Sequence, residues 1–182
     1  MSHTVGVWMQ QRHNKRHKDH RSPRDDAKRV GASVTHVKWV VQPDLTHLPA
    51  NILDKGSDFQ ARPGYGVRGA QSAPASDKKP QDIPVVKNRL TGFRDNNALD
   101  QILQRLNVTR FFYTGVKLDR CVFAPLAEGC FDAVFDEDAA TTVSPRHVSD
   151  AIRYLIRLLS GFTAMLNDIP AAIPPKQPTG VQ

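Results

Sequence analysis

The apolar residues of this chain fall into two rhythms. Short blocks dense in β-branched and aromatic residues read as strands, and stripes at three- and four-residue spacing read as helices. Residues 33–41 (SVTHVKWVV) form the first clear block and predict a buried strand. Residues 83–87 (IPVVK), 110–115 (RFFYTG) and 131–135 (FDAVF) predict three more. Between them, residues 96–106 put Leu99, Ile102, Leu103 and Leu106 on one helix face, with Asn96 or Asn97 as the cap. Val148, Ile152, Leu155, Ile156 and Leu159 predict a longer amphipathic helix from Pro145 to about Phe162. Residues 27–30 read as the last turn of a helix that Gly31 closes.

Strands alternate with helices from residue 83 onward. That order implies a mostly parallel sheet covered by helices, an α/β fold of three layers, α/β/α. Chemistry in such sheets gathers at the carboxyl ends of strands. Residues 10–29 hold almost no large apolar side chains and cannot offset their own ordering entropy. Residues 61–82, rich in Gly, Pro and Ser, read as an extended surface loop, and the Pro-rich stretch beyond Asn167 as irregular. The expected organisation is a basic arm over 1–26, a folded domain over 27–166 and a tail over 167–182.

Composition changes this picture in one place. The 182 residues are 40% hydrophobic and 24% charged, enough for a real core, and carry a net charge of +7. Residues 1–30 hold eight Lys or Arg against three Asp, which is +5, so the rest of the chain contributes +2. The excess charge is therefore a property of the arm. Phosphate neutralisation would suit it, but it lacks interleaved aromatics or a reading motif. We read it as a solvated tail rather than a nucleic-acid contact. No apolar run approaches the roughly 20 residues of a membrane span. No apolar segment follows the N-terminal charges as in a secretory signal. Two cysteines, Cys121 and Cys130, are too few for a disulfide scaffold. The expectation is a cytoplasmic setting, no membrane, no cofactor and a small-molecule substrate, with homo-oligomerisation left open.

The strongest chemical candidate follows the 110–115 block. Residues 115–122 (GVKLDRCV) read as strand, tight connection and helix start, with Cys121 in the first turn. A thiol there meets the positive end of the helix dipole, which favours the thiolate. Free N–H groups of the same turn can hold an oxyanion. Alone, such a cysteine is more often a small core residue. Lys87 at a strand end is by itself more often a solvated lysine. His36, Asp44 and His47 lack a ligand-like spacing, so no metal is expected. Asp138 reads as a turn cap, Glu137 as the partner of a base on a neighbouring element, and Cys130 as a buried or strand-edge thiol. Trp39 reads as core, with the wall of a substrate pocket as the alternative.

The pattern around Cys121 carries more weight. Residues 114–122 (TGVKLDRCV) resemble the nucleophile segment TGVxLDxCV of the isochorismatase-like cysteine hydrolases. Upstream, 85–93 (VVKNRLTGF) is similar to that family's lysine segment, K-x-R-x-S/T-x-F. Downstream, 131–145 (FDAVFDEDAATTVSP) resembles its next strand and E-D-A-x-A-T turn, with His147 where a His often follows. The resemblance covers about 83–160, with a weaker stretch over 27–53. It implies hydrolysis of an amide or ureido C–N bond by a Cys–Asp–Lys triad through a thioacyl intermediate. By position Cys121 would be the nucleophile and Lys87 the lysine. Backbone N–H groups of Lys117 and Cys121 would form the oxyanion hole, and Trp39 and Phe93 would contact substrate.

Three features depart from the family pattern. The triad aspartate belongs to a first strand of the form VIDMQ, and the match here, Val5-Gly6-Val7-Trp8-Met9-Gln10, puts Trp8 in its place. An indole accepts no proton from a thiol. The segment from Cys121 to Gly129 is about one helical turn short. Lys117 stands where the family carries a small or apolar residue. These departures motivate the alternative expectation of a catalytically impaired homologue, a pseudoenzyme of the same fold serving as an interaction or oligomerisation domain.

Overall fold

The computed structural model describes residues 3–9 (backbone only), 27, 31–56, 63, 80–87, 89–94, 98–128, 132–165 and 167–168. The chain runs β1 (His3–Met9), β2 (Ser33–Trp39), α1 (Ala50–Lys55), β3 (Ile83–Lys87), α2 (Ala98–Arg105) and β4 (Val108–Val116). A π-helical turn, Leu118–Val122, then runs into α3 (Phe123–Ala127). β5 (Asp132–Thr141), α4 (Arg146–Leu155), a second π-helical turn (Ile156–Ser160) and β6 (Phe162–Ala164) complete it.

The six strands form one sheet in the order β3-β2-β1-β4-β5-β6. Every pairing in it is parallel. Chain order runs outward from β1 to β3, then resumes on the other side of β1 at β4. The sheet therefore reverses its winding between β1 and β4. A crevice opens outside the carboxyl ends of strands at such a switch point, and ligands bind there. Trp8 pairs with His36 on one side and Thr114 on the other, so the end of β1 lies at this point.

Side-chain alternation sorts the core. Val37, Val85, Phe111, Tyr113, Ala133 and Phe135 share one face with Leu99 and Leu103 of α2, Leu118 and Val122 of the first π turn, Leu126 of α3 and Ile156 of the second π turn. Seven of the large apolar side chains are under 2% exposed, among them Phe111, Phe135 and Leu103. Each contributes roughly 1.5–3 kcal/mol on burial. Val34, one pleat out of phase with Val37, packs with Ala27 and Ala32 in a separate cluster. A third cluster joins Trp39 and Val41 to Leu48 and Ile52, beside α1.

The expected α/β class holds, and several boundaries move. The basic arm expected over 1–26 is not an arm throughout: residues 3–9, which include most of the first-strand match over 5–10, are a strand with ladders on both sides. A central parallel strand gains hydrogen bonds along both edges, and this short apolar run needs no periodicity to earn that place. Residues 10–26, the rest of that arm, lie outside the described residues, as do most of the 61–82 loop and the tail beyond 168. The helix expected to reach Phe162 ends its regular part at Leu155, and Phe162 belongs to β6, paired with Val134. Gly161 makes the break, at φ 152° with its Cα against Ala133: a Cβ there would sit 2.3 Å from that residue's carbonyl oxygen. Pro125 sits inside α3, yet the helix continues through it. The ring of a proline conflicts with the carbonyl four residues back, here Cys121, and the preceding π turn widens the helix at that position.

Candidate active site

Cys121 is the fourth residue of the π turn that follows β4, on the carboxyl side of the sheet. It is a free, half-buried thiol packed against the main core. The Lys117 carbonyl accepts hydrogen bonds from the N–H groups of Arg120 and Val122, both at 3.2 Å. These two flank the N–H of Cys121. The Val116–Lys117 peptide bond is cis. Lys117 itself is half-buried at the junction of strand and helix.

Lys87 ends β3, two strands from β1, and is 1% exposed. A buried ammonium is costly unless its protons find acceptors. One is the carbonyl of Leu90, three residues on, to which Nζ donates. The Lys87 carbonyl accepts from the N–H of Val40, which locks the ends of β2 and β3 together. Trp39 pairs directly with Lys87 across these strands. Its indole ring is buried, and Nε1–H has no acceptor among the described residues. Phe93 lies in the main core, edge-on to Phe111 at 6.4 Å between centroids. Thus Lys87, Trp39 and Phe93 line the β3–β2 side of the carboxyl edge, and Cys121 and Lys117 the β4 side.

Two polar networks hold these parts. Asp119, two residues before Cys121, accepts from Thr142 Oγ1 and from Ser144 Oγ, the latter at 2.9 Å. Burial pushes its carboxyl up, but these hydrogen bonds and the Arg120 charge outweigh it and hold the group below its ordinary value. The bonds fasten the π turn to the segment after β5. On the other side, Glu128, just past α3, accepts from Thr91 Oγ1 and Arg94 Nε, each at 2.6 Å. Thr91 Oγ1 also accepts from the N–H of Phe93 at 3.1 Å. Sequence reasoning singled out neither Asp119 nor Glu128. The signal available for the second was Thr91 in the S/T position of the lysine motif.

The segment read from sequence as a turn around Asp138 is the second half of β5, and there Asp136 Oδ1 accepts from the N–H of Ala139 at 3.3 Å. Asp136 is fully buried and its Oδ2 has no partner among the described residues. Burial, then the neighbouring Asp138, push the Asp136 carboxyl up to about 9. A protonated Asp136 leaves no buried charge beside the Asp138 carboxylate. Glu137 pairs as expected with a base on another element: Arg157 Nη1 lies 2.7 Å away, and Arg153 also approaches.

The residues weighed for a metal each have another partner. His36 Nε2 lies 3.1 Å from Asp82. Asp44 accepts from the N–H of Thr46, and His47 from that of Gln42. Among the described residues no group of three or more His, Cys, Asp or Glu is gathered as metal ligands would be. Cys130 lies outside the described residues. Among the described residues no helix is long and apolar enough to cross a membrane.

A parallel sheet wound in this order is also what comparison with known proteins finds. The isochorismatase domain model matches residues 24–165, and the chain belongs to that family. Among solved structures, it superposes on a cysteine hydrolase from Pseudomonas syringae pv. phaseolicola with a TM-score of 0.73 at 13% identity, over 93% of this chain and 92% of that one. It superposes on N-carbamoylsarcosine amidase from Thermoplasma acidophilum with a TM-score of 0.66 at 18% identity, over 91% and 97%. Among curated proteins, it is 28% identical to a ureidoacrylate amidohydrolase of Rhizobium rhizogenes over 104 residues, 56% of this chain. That match spans 42% of the relative's length, and a second, from Enterobacter, spans 43%.

Proposed function

We propose that this chain hydrolyses an amide or ureido C–N bond in a small molecule, with Cys121 as the nucleophile. The carrying observation is the position of that free thiol: in the first helical turn after β4, beside the switch point of a sheet whose β3 ends in a buried Lys87. Relatives named as ureidoacrylate amidohydrolases and a structural neighbour named as an N-carbamoylsarcosine amidase support the bond type.

The thiolate of Cys121 adds to the carbonyl carbon. The oxyanion accepts from the N–H groups of Lys117 and Cys121. The C–N bond breaks, the amine leaves carrying the thiol proton, and a thioester remains. Water adds to the thioester, the acid departs, and the thiol is restored. Lys87 places a positive charge beside the site that favours the anionic thiolate and oxyanion. Trp39 Nε1–H, buried without an acceptor, is available to a substrate oxygen. Phe93 closes the apolar side.

A panel of ureido acids, N-carbamoyl amino acids and simple amides, assayed for ammonia or amine, tests the reading. Release is expected from one class, and Cys121→Ser abolishes it. Release that survives this substitution refutes the role of Cys121. A second reading, a non-catalytic homologue serving as an interaction or oligomerisation domain, draws on Trp8 at the end of β1, where the triad carboxylate would stand. Rapid labelling of Cys121 by a thiol probe near neutral pH counts against it.

A further inference from the structure

We infer that Glu128 is a positioning residue that ties the lysine side of the site to the cysteine side. The inference rests on the proposed roles of Cys121 and Lys87. Residues 89–94 form the loop after β3. Its Leu90 carbonyl takes a proton from Lys87 Nζ, so the lysine's position depends on where this loop sits. From outside its own strand, the Glu128 carboxylate holds the loop at two points. Glu128 Oε2 accepts from Thr91 Oγ1 and Oε1 from Arg94 Nε, both at 2.6 Å. Glu128 directly follows the helical run that begins at Leu118 and carries Cys121. Its own N–H donates to the Ala124 carbonyl, so it is part of that helix's last turn.

The two bonds differ in weight. Thr91 is 6% exposed, and the Glu128 side chain 18%. The Arg94 side chain is 73% exposed, where an ion pair contributes little. The Thr91 hydroxyl is also engaged twice, donating to Glu128 while accepting from the Phe93 N–H. That relay orders the loop through Phe93, which packs in the main core. The helix after Cys121 ends at Ala127, which brings Glu128 against this loop.

A carboxylate accepts both bonds, whereas an amide offers one acceptor and one donor. An amide can therefore still accept from Thr91, so Glu128→Ala and Thr91→Val each break the tie, and Thr91→Ser keeps it. Two readouts are needed: steady-state hydrolysis, and the pH profile of Cys121 alkylation by iodoacetamide, which requires no turnover. The expected result is a loss of roughly 10- to 100-fold in kcat with KM little changed for Glu128→Ala and Thr91→Val, since small misplacements of a reacting pair act on that scale. The alkylation midpoint moves to higher pH in the same two variants, because Lys87 no longer supports the thiolate. Thr91→Ser restores both readouts, and Arg94→Ala leaves both near wild type. A lowered Tm with unchanged alkylation profile and kcat would show a merely structural tie and overturn the inference. Loss of kcat with no shift in the alkylation profile overturns it as well. Hydrolysis that depends on Cys121 but ignores Glu128 leaves the proposed function standing and removes only the tie.

Discussion

Replacing Asp136 by Asn should stabilise this protein, and should do so more as pH rises. The wild-type carboxyl is fully buried, with one oxygen satisfied by the Ala139 N–H and the other without a donor. Burial and the Asp138 carboxylate raise it from 3.8 to about 9. The folded state therefore holds a proton that the unfolded chain has released above about pH 4. The unfolded state binds fewer protons throughout that window, so stability falls as pH rises from about 4 to about 9. The shift is about five units, each ~1.4 kcal/mol, which sets a ceiling of about 7 kcal/mol. Relaxation of the site, which lifts the effective dielectric towards about 20, brings the expected penalty nearer 2–4 kcal/mol at pH 8. Asparagine reproduces the neutral acid: its oxygen accepts from Ala139 and it carries no charge at any pH. Urea unfolding of both proteins from pH 4 to 8, followed by tryptophan fluorescence, measures the effect. The difference between the two isolates Asp136, because every other ionisable group is common to both. Asp136→Asn should match wild type near pH 4 and exceed it by a growing margin above. A margin that stays constant within about 1 kcal/mol, or a variant less stable than wild type at pH 8, refutes the assignment of a protonated buried acid.

Other perturbations follow from the same geometry. Asp119→Ala strands the hydroxyls of Thr142 and Ser144 and should cost on the order of 1–3 kcal/mol at pH 7. The Asp119 carboxyl is held below its ordinary value, so its contribution is present above about pH 4 and lost as pH falls through the folded value; the difference between variant and wild type in urea unfolding should shrink in acid. Gly161→Ala drives a Cβ into the Ala133 carbonyl at a φ that disfavours side chains, and should lower stability by roughly 2–3 kcal/mol, read as a fall in Tm with loss of the β6 pairing. Leu103→Ala empties a fully buried position between α2 and the sheet and should cost about 2–5 kcal/mol by chemical denaturation.

Much of the fold was legible because its signals are local. The β3 strand, the apolar face of α2 and the strand–turn–helix around Cys121 each follow from side-chain spacing within a dozen residues. The family motifs placed Cys121 and Lys87 on successive strand ends, and the sheet order sets them on opposite sides of the switch point. The ends of elements were less legible. Val40 and Val41 are as β-prone as their neighbours yet leave the sheet after Trp39, because the chain must turn towards α1. Phe162 extends the helical stripe by one more turn, but Gly161 breaks it and an open edge of β5 takes it up. That edge exists only once the sheet has formed.

The sequence alone determined the alternation of strand and helix, the nucleophile segment and the indole where a carboxylate was expected, since all three depend on neighbours along the chain. Tertiary structure decided which residues act as partners. His3–Met9 is a seven-residue run whose place between β2 and β4 comes from long-range pairing, not from its own pattern. Nothing in the sequence singles out Asp136, and enclosure by β4, β6 and Asp138 keeps it protonated. Glu128 and Thr91 are 37 residues apart and meet where the helix after Cys121 ends against the loop that follows β3. Burial and distance make these assignments, and neither is written in the order of residues.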